Sequence, residues 1–386
     1  MRVPFLDLKA QYKTIQKEIK AKVDSILASQ VFALGPEVEC LEKELAAFCG
    51  VKHAIGVSSG TDALLVSLMA LDIMPGDMVV TTPFTFFATA GVVARLQAVP
   101  VFCDIDPLTF NLSAEKLDFL LRKLKKRPVK ALIPVHLYGQ CAEMDPLSDI
   151  ARHYHLSIIE DAAQAIGAEY PSRRGNKKAG SMGTLGTISF YPTKNLGAYG
   201  DAGLILTNNT QLAERIKIMR VHGEKRRYHY EIVGGNFRLD ALQAGILRVK
   251  LPFLSGWQKR RRQLASLYEK LFEERGLTSR GYVTCPQAVY RNREVENYHT
   301  YHQYVVRVKK RDELKRFLER KGIQTAIFYP KPLHLQKCFA YLGYKRNDFP
   351  AAEKAAREVL ALPIYPELTA DQVAYVVENI AAFFRS

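Results

Sequence analysis

The strongest constraint on what this chain can fold into is an alternation. Short β-branched, apolar runs recur through its first two thirds: "DMVVTTP" near residue 80, "AVPVFCDI" near 101, "KALIPVHLYG" near 132, "LSIIEDAA" near 158, "GTISFYP" near 188 and "GLILTNN" near 205. The early runs are separated by stretches with helical patterning, "TDALLVSLMALDI" (61–73), "SAEKLDFLLRKLKK" (113–126) and "PLSDIARHYH" (146–155). Strands that alternate with helices predict an α/β fold, a mainly parallel sheet with helices on both faces. Ligands of such sheets collect at the carboxyl ends of the strands.

After about residue 250 the rhythm changes. A long basic helix is expected over 252–275, then an irregular stretch to about 298. Strand "YHQYVVRVK" (301–309), helix "DELKRFLERKG" (312–322) and strand "IQTAIFYP" (323–330) follow. "LTADQVAYVVENIAAFF" closes the chain as a helix with Thr369 as its N-cap. The expected organisation is a large α/β/α domain over 1–250 and a smaller α+β domain over 251–386. The 386 residues suffice for both cores.

Composition narrows the function. The net charge is +16, with basic clusters at 122–130, 172–178, 224–229 and 258–263. Nucleic-acid binding is one reading. Solvated helix faces and loops are the other, favoured because the clusters lie far apart and none sits in a nucleic-acid module. The six cysteines are scattered with no CxxC pair, so reduced thiols in a cytoplasmic protein are expected, with neither disulfides nor a metal site. No signal peptide and no membrane span are expected, because "MRVPFLDLKAQYKTIQKEI" has no apolar core and no run reaches about 18 apolar residues.

GxGxxG after the first strand, GxxxxGK[ST], HExxH and GxSxG are all absent, which weighs against four familiar chemistries. Four other features converge. A small-residue loop leads into the apolar helix of "VSSGTDALLVSLMAL" (57–71), and its start at Gly60 and Thr61 is an anion site. Asp62 is expected to face away from it. In "LSIIEDAAQAIG" (156–167), Asp161 sits at the carboxyl edge of the sheet and Glu160 on the other face. In "SFYPTKNLGAYGDAG" (189–203), Lys194 stands among aromatics and glycines, where burial lowers an amine's pKa and makes it nucleophilic. "VTTPFTFFATAG" (80–91) brings aromatic rings to the same edge. Each alone has a plain structural reading, as a cap, a loop residue or core. Together they supply a phosphate cradle, a carboxylate, an amine and a flat apolar cover, which are the needs of pyridoxal 5'-phosphate.

The order and wording of these blocks resemble the DegT/StrS family of nucleotide-sugar aminotransferases, within the fold-type-I aspartate aminotransferase superfamily. The resemblance runs nearly end to end, from "PFLDLKAQY" through "FALGPEVECLEKELAAFCGVKHAIGVSSGTDAL", "IIEDAAQAIGA", "SFYPTKNLGAYGDAG", "NFRLDALQAGIL" and "YPKPLHLQ" to "LPIYPELT". It implies that Lys194 is the lysine that joins the cofactor aldehyde and Asp161 the partner of its ring nitrogen. Gln164 then bonds the cofactor hydroxyl, Gly60, Thr61 and Ser189 bind the phosphate, and Phe86 stacks on the ring. Asn236 would reach the phosphate of a neighbouring subunit, which implies a homodimer with shared sites. Arg238, Tyr329 and His334 match positions on the sugar-nucleotide side. L-Glutamate is the implied amino donor, in amino-sugar biosynthesis for a surface polysaccharide such as lipopolysaccharide.

Phe328 stands where some 3-keto uronic-acid relatives carry histidine, which weighs against a uronate. "EKRRYHYEIVGGN" leans to the 3-ketosugar over the 4-ketosugar branch. Sugar dehydratases of the family replace the lysine by histidine, and Lys194 weighs against that activity. A regulatory or nucleic-acid-binding protein on the same scaffold is the reading from a different class.

Overall fold

The computed structural model describes residues 1–124 and 129–385. The chain opens with α1 (Leu8–Ser29) and α2 (Pro36–Cys49), then β1 (His53–Val57), α3 (Gly60–Ala70), β2 (Met78–Thr81), α4 (Ala88–Arg95), β3 (Val99–Phe102), α5 (Ala114–Lys123) and β4 (Val129–Ile133). It continues through α6 (Met144–His153), β5 (Ser157–Asp161), a hairpin of β6 (Glu169–Ser172) and β7 (Gly175–Lys178), β8 (Leu185–Ser189), β9 (Gly203–Thr207) and α7 (Thr210–Met219). A second hairpin, β10 (Glu224–Arg226) and β11 (His229–Tyr230), precedes α8 (Ala241–Lys250) and α9 (Leu254–Glu274). The remainder is β12 (Val283–Thr284), β13 (Tyr304–Val308), α10 (Arg311–Arg320), α11 (Pro350–Glu358), β14 (Val359–Leu362) and α12 (Ala370–Arg385).

Seven strands form the main sheet in the order β1-β9-β8-β5-β4-β2-β3. The β3–β2, β2–β4, β4–β5 and β5–β8 pairs are parallel, whereas β9 runs antiparallel to both β8 and β1. The sheet is thus mainly parallel, as the alternation predicts. Helix α3 is apolar all round, with Ala63 to Leu68 buried in one unbroken run. A helix of that kind packs against the sheet on one side and other helices on the other. Ser59 caps it, its hydroxyl accepting the Asp62 N–H at 3.0 Å.

A three-stranded antiparallel sheet, β12-β13-β14, carries a second core. Leu264, Tyr268 and Phe272 of α9 pack there with Tyr304 and Val306 of β13, Leu360 and Leu362 of β14, and Val373, Val377 and Ile380 of α12. A third apolar cluster joins the two units: Phe84, Phe102 and Val135 from the main-sheet side meet Val305, Leu333 and Val359. Thr369 Oγ1 accepts the Gln372 N–H at 3.2 Å, as a cap of α12.

The strand expected over 323–330 does not form. Ile323 makes a single bridge to Val3 and Ala326 one to Ala361, so neither edge gains a ladder. The expected helix end at 125–126 and residues 125–128 of the basic cluster 122–130 lie outside the described residues. Two side chains of the other clusters are already engaged within the fold. Arg261 is buried in α9 and gives Nη1–H bonds to the carbonyls of Tyr301 (3.0 Å) and Ile364 (2.7 Å), while Arg173 pairs with Asp149 at 2.9 Å. Among the described residues no helix is long and apolar enough to cross a membrane.

Candidate active site

Adjacent side chains on a strand point to opposite faces, and the end of β5 uses this to separate two carboxylates. Glu160 is enclosed. It accepts hydrogen bonds from His136 Nε2 (2.7 Å) and from the backbone N–H groups of Gly180 (2.9 Å), Met182 (2.6 Å) and Gly183 (2.5 Å). Asp161 faces the other way. Its Oδ2 accepts from the Thr89 hydroxyl at 2.7 Å and its Oδ1 from the Ala163 N–H at 3.2 Å. The Thr85 hydroxyl continues the chain to Thr89 at 3.1 Å. Asp161 is only 5% exposed, and among the described residues no basic side chain is ion-paired with it. A buried carboxylate in that state is complementary to a cationic N–H.

Lys194 follows β8 in a tight turn closed by its own N–H to the Tyr191 carbonyl at 2.8 Å. Gly197 completes the turn; a Cβ there would lie 2.3 Å from the Pro192 carbonyl oxygen, so no other residue fits. Burial pushes the Lys194 amine down to about 8, and the negative charge of Asp161 opposes that push. The apolar company of Lys194 in the sequence is therefore the wall of a partly dry site.

The start of α3 faces the same space. Its first N–H groups, at Gly60 and Thr61, have no acceptor within the helix by geometry. Asp62 is held back by the hydroxyls of Ser58 (2.7 Å) and Ser59 (2.9 Å), as expected of an acid beside an anion site. A Cβ on Gly60 would lie 2.6 Å from Ser189 Cβ, so the helix start and the end of β8 meet only because residue 60 is glycine.

These elements surround a cavity of about 780 Å³. Gly60, Thr61, Phe86, Asp161, Gln164, Ser189, Lys194 and Tyr329 all line it. Phe86 is 58% exposed at the mouth, its ring 6.5 Å from that of Tyr329. Gln164 is fixed twice: its Oε1 accepts the Tyr138 N–H at 2.7 Å and its Nε2 donates to the Tyr329 hydroxyl at 3.1 Å. One amide N–H of Gln164 stays open to a ligand.

Two residues expected on the sugar-nucleotide side, His334 and Arg238, are not brought to this cavity, and Asn236, expected to serve a neighbouring subunit, lies outside it as well. His334 is buried beside Phe349 with its Nε2 3.2 Å from Glu353 Oε1, so its short helical turn presents Leu333 and Gln336 instead. Asn236 and Arg238 line a separate cavity of about 480 Å³, whose wall includes Asp201 of the first. The sequence reading also missed Thr85, Thr89, Tyr138, His302 and Gln303. A signal existed for two of them: Thr85 and Thr89 flank the aromatic run at a spacing of one helical turn.

The residues present fit pyridoxal 5'-phosphate: free N–H groups and hydroxyls for a phosphate, an amine for an aldehyde, and a buried carboxylate for a protonated ring nitrogen. Known proteins agree. The chain is 48% identical over 386 residues to a "pleiotropic regulatory protein" of Geobacillus stearothermophilus, covering 100% of this chain and 99% of that one. It is 40% identical over 380 residues to the dTDP-3-amino-3,4,6-trideoxy-alpha-D-glucose transaminase of Streptomyces venezuelae, covering 98% and 95%. The solved structure of S. venezuelae DesV in complex with a ketimine intermediate superposes with a TM-score of 0.91 at 37% identity, covering 100% of this chain and 99% of that one. The model of the DegT/DnrJ/EryC1/StrS aminotransferase family matches residues 13–381. The cofactor is accordingly pyridoxal phosphate, the activity is transamination, and the chain belongs to the DegT/DnrJ/EryC1/StrS aminotransferase family.

Proposed function

We propose that this aminotransferase moves an amino group from L-glutamate to a nucleotide-linked 3-ketosugar, as a cytoplasmic homodimer making an amino sugar for a surface polysaccharide. The observation that carries the reading is one cavity holding Lys194 and Asp161 opposite a phosphate cradle, in a chain similar over its whole length to a sugar transaminase.

The bound cofactor supplies an electron sink for the pair left when a proton leaves carbon. The chain supplies the rest. Gly60, Thr61 and Ser189 would hold the phosphate, and Gln164 would offer its open N–H to the ring hydroxyl. Asp161, fixed by Thr89 and the Ala163 N–H, would keep a proton on the ring nitrogen by its charge. Lys194, with its amine down at about 8, takes the α-proton of the amino donor and returns one to the sugar carbon. Phe86, at the mouth, would cover the ring.

Asn236, exposed beside Arg238, is free to complete a neighbour's site, which supports the dimer reading. Six free thiols support a reducing compartment. The S. venezuelae relative is named for an amine at C3, in keeping with the lean of "EKRRYHYEIVGGN". The regulatory name of the Geobacillus relative supports a second reading, against which stand the amine, acid and cradle retained here. Loaded protein should aminate at least one sugar from a panel of UDP-, GDP- and dTDP-linked 3- and 4-ketosugars with glutamate, read by mass spectrometry. No aminated product together with a DNA gel shift would overturn the proposal in favour of regulation.

A further inference from the structure

The segment from His299 to Gln303, just before β13, is held from several sides. The Thr300 N–H donates to the Gly139 carbonyl at 2.9 Å and the Thr300 hydroxyl to the Gln164 carbonyl at 3.3 Å. Arg261 bonds the Tyr301 carbonyl at 3.0 Å, and Asn195 Nδ2 bonds the Thr300 carbonyl at 3.0 Å. Asn195 directly follows Lys194, so this segment and the lysine are braced by one side chain.

That brace fixes a proton. A carbonyl only accepts, so Asn195 turns its Nδ2 to Thr300 and leaves Oδ1 toward His302 Nδ1, 3.3 Å away. His302 must then donate from Nδ1. Burial above all, and then the positive charges of Lys194 and Arg261, hold the imidazole neutral. A neutral ring protonated on Nδ1 presents an unprotonated Nε2, a hydrogen-bond acceptor. Beside it, Gln303 is only 7% exposed, and its Oε1 is buried without a partner. Both residues line the main cavity. A buried acceptor left unpaired in a rigid wall is costly unless a ligand pairs it.

We propose that His302 and Gln303 form a subsite of two neutral acceptors that reads hydroxyl groups of the sugar. This rests on the nucleotide-ketosugar reading above. Two uncharged acceptors suit neutral O–H donors and bring no negative charge of their own to hold the ammonium of an amino acid. The pair is therefore assigned to the sugar and not to glutamate.

The test is calorimetric titration of cofactor-loaded protein with UDP-glucose, dTDP-glucose and L-glutamate. His302→Asn keeps a donor toward Asn195 but has no acceptor at the Nε2 position; His302→Gln restores one there. Gln303→Leu removes the second acceptor. His302→Asn and Gln303→Leu should each weaken binding of the nucleotide sugar about ten-fold, with His302→Gln recovering most of the loss. Glutamate affinity, cofactor absorbance and melting temperature should stay at wild-type values. Unchanged sugar affinity in both variants, or a loss confined to glutamate, overturns the subsite and leaves the transaminase reading standing. Failure of the wild-type protein to bind either nucleotide sugar overturns both.

Discussion

Lys194 and Lys250 are the same side chain under the same pressure. Burial holds each amine down to about 8. Lys250, the last residue of α8, is fully buried; it donates to the Gly197 carbonyl at 2.7 Å and lies 4.2 Å from the centre of the Tyr199 ring. It opens on no ligand space and braces the turn that carries Lys194. Lys194 opens on a cavity of about 780 Å³ and feels the charge of Asp161. The pair teaches that a depressed amine marks a reactive site only when a substrate can reach it. Glu160 and Asp161 repeat the lesson in carboxylates: one is closed off by four donors, the other keeps an open face.

The largest effect that separates the lysines is on rate. Lys194→Ala should lose turnover by about 1,000-fold or more, because it removes both the covalent attachment point and the proton carrier. Lys250→Met should keep turnover within about ten-fold, since it alters only the support of the turn. Equal losses in a glutamate-driven turnover assay would erase the distinction. The carboxylates come next. Asp161→Asn should cost about 100-fold or more in turnover with the cofactor still bound. Glu160→Gln should instead destabilise the fold by about 2–4 kcal/mol by turning an amide toward buried N–H donors. Chemical denaturation paired with active-site titration reads the two separately.

Stability against pH sharpens the comparison further. The folded-state pKa of Lys250 lies below its unfolded value, so the unfolded chain binds the extra proton between pH 8 and about 10. Its burial therefore counts against folding below pH 8, and that penalty fades as pH rises. Relative to Lys250→Met, the wild-type protein should gain on the order of 1–3 kcal/mol between pH 7 and 10. Parallel melting curves for the two proteins across that range would contradict a Lys250 amine depressed by burial. The smallest effect concerns the basic surface: raising salt from 0.05 to 0.5 M should raise KM for the nucleotide sugar by about three-fold and leave kcat unchanged, and a flat KM removes steering.

The parts legible in the sequence are those where one strand or helix end suffices. Asp161 closes β5, Ser189 closes β8 and Gly60 opens α3, so periodicity alone brings them to one sheet edge. Groups set by tertiary packing were not legible. His302 and Gln303 reach the cavity because Arg261, Asn195 and Gly139, far apart in sequence, hold their backbone. The stretch 323–330 has the composition of a strand but finds only isolated bridges, and strand propensity cannot report a missing neighbour. His334 was misplaced for a related reason: which side of a short turn faces the cavity depends on Glu353 and Phe349, which pack on it from the start of α11.

The most direct test is to reduce the cofactor-loaded protein with borohydride, digest it and locate the modified lysine by mass spectrometry. The account predicts one reduced cofactor on the peptide containing Lys194 and none in Lys194→Ala. Modification at Lys250 or another lysine, with Lys194 recovered unmodified, would contradict it.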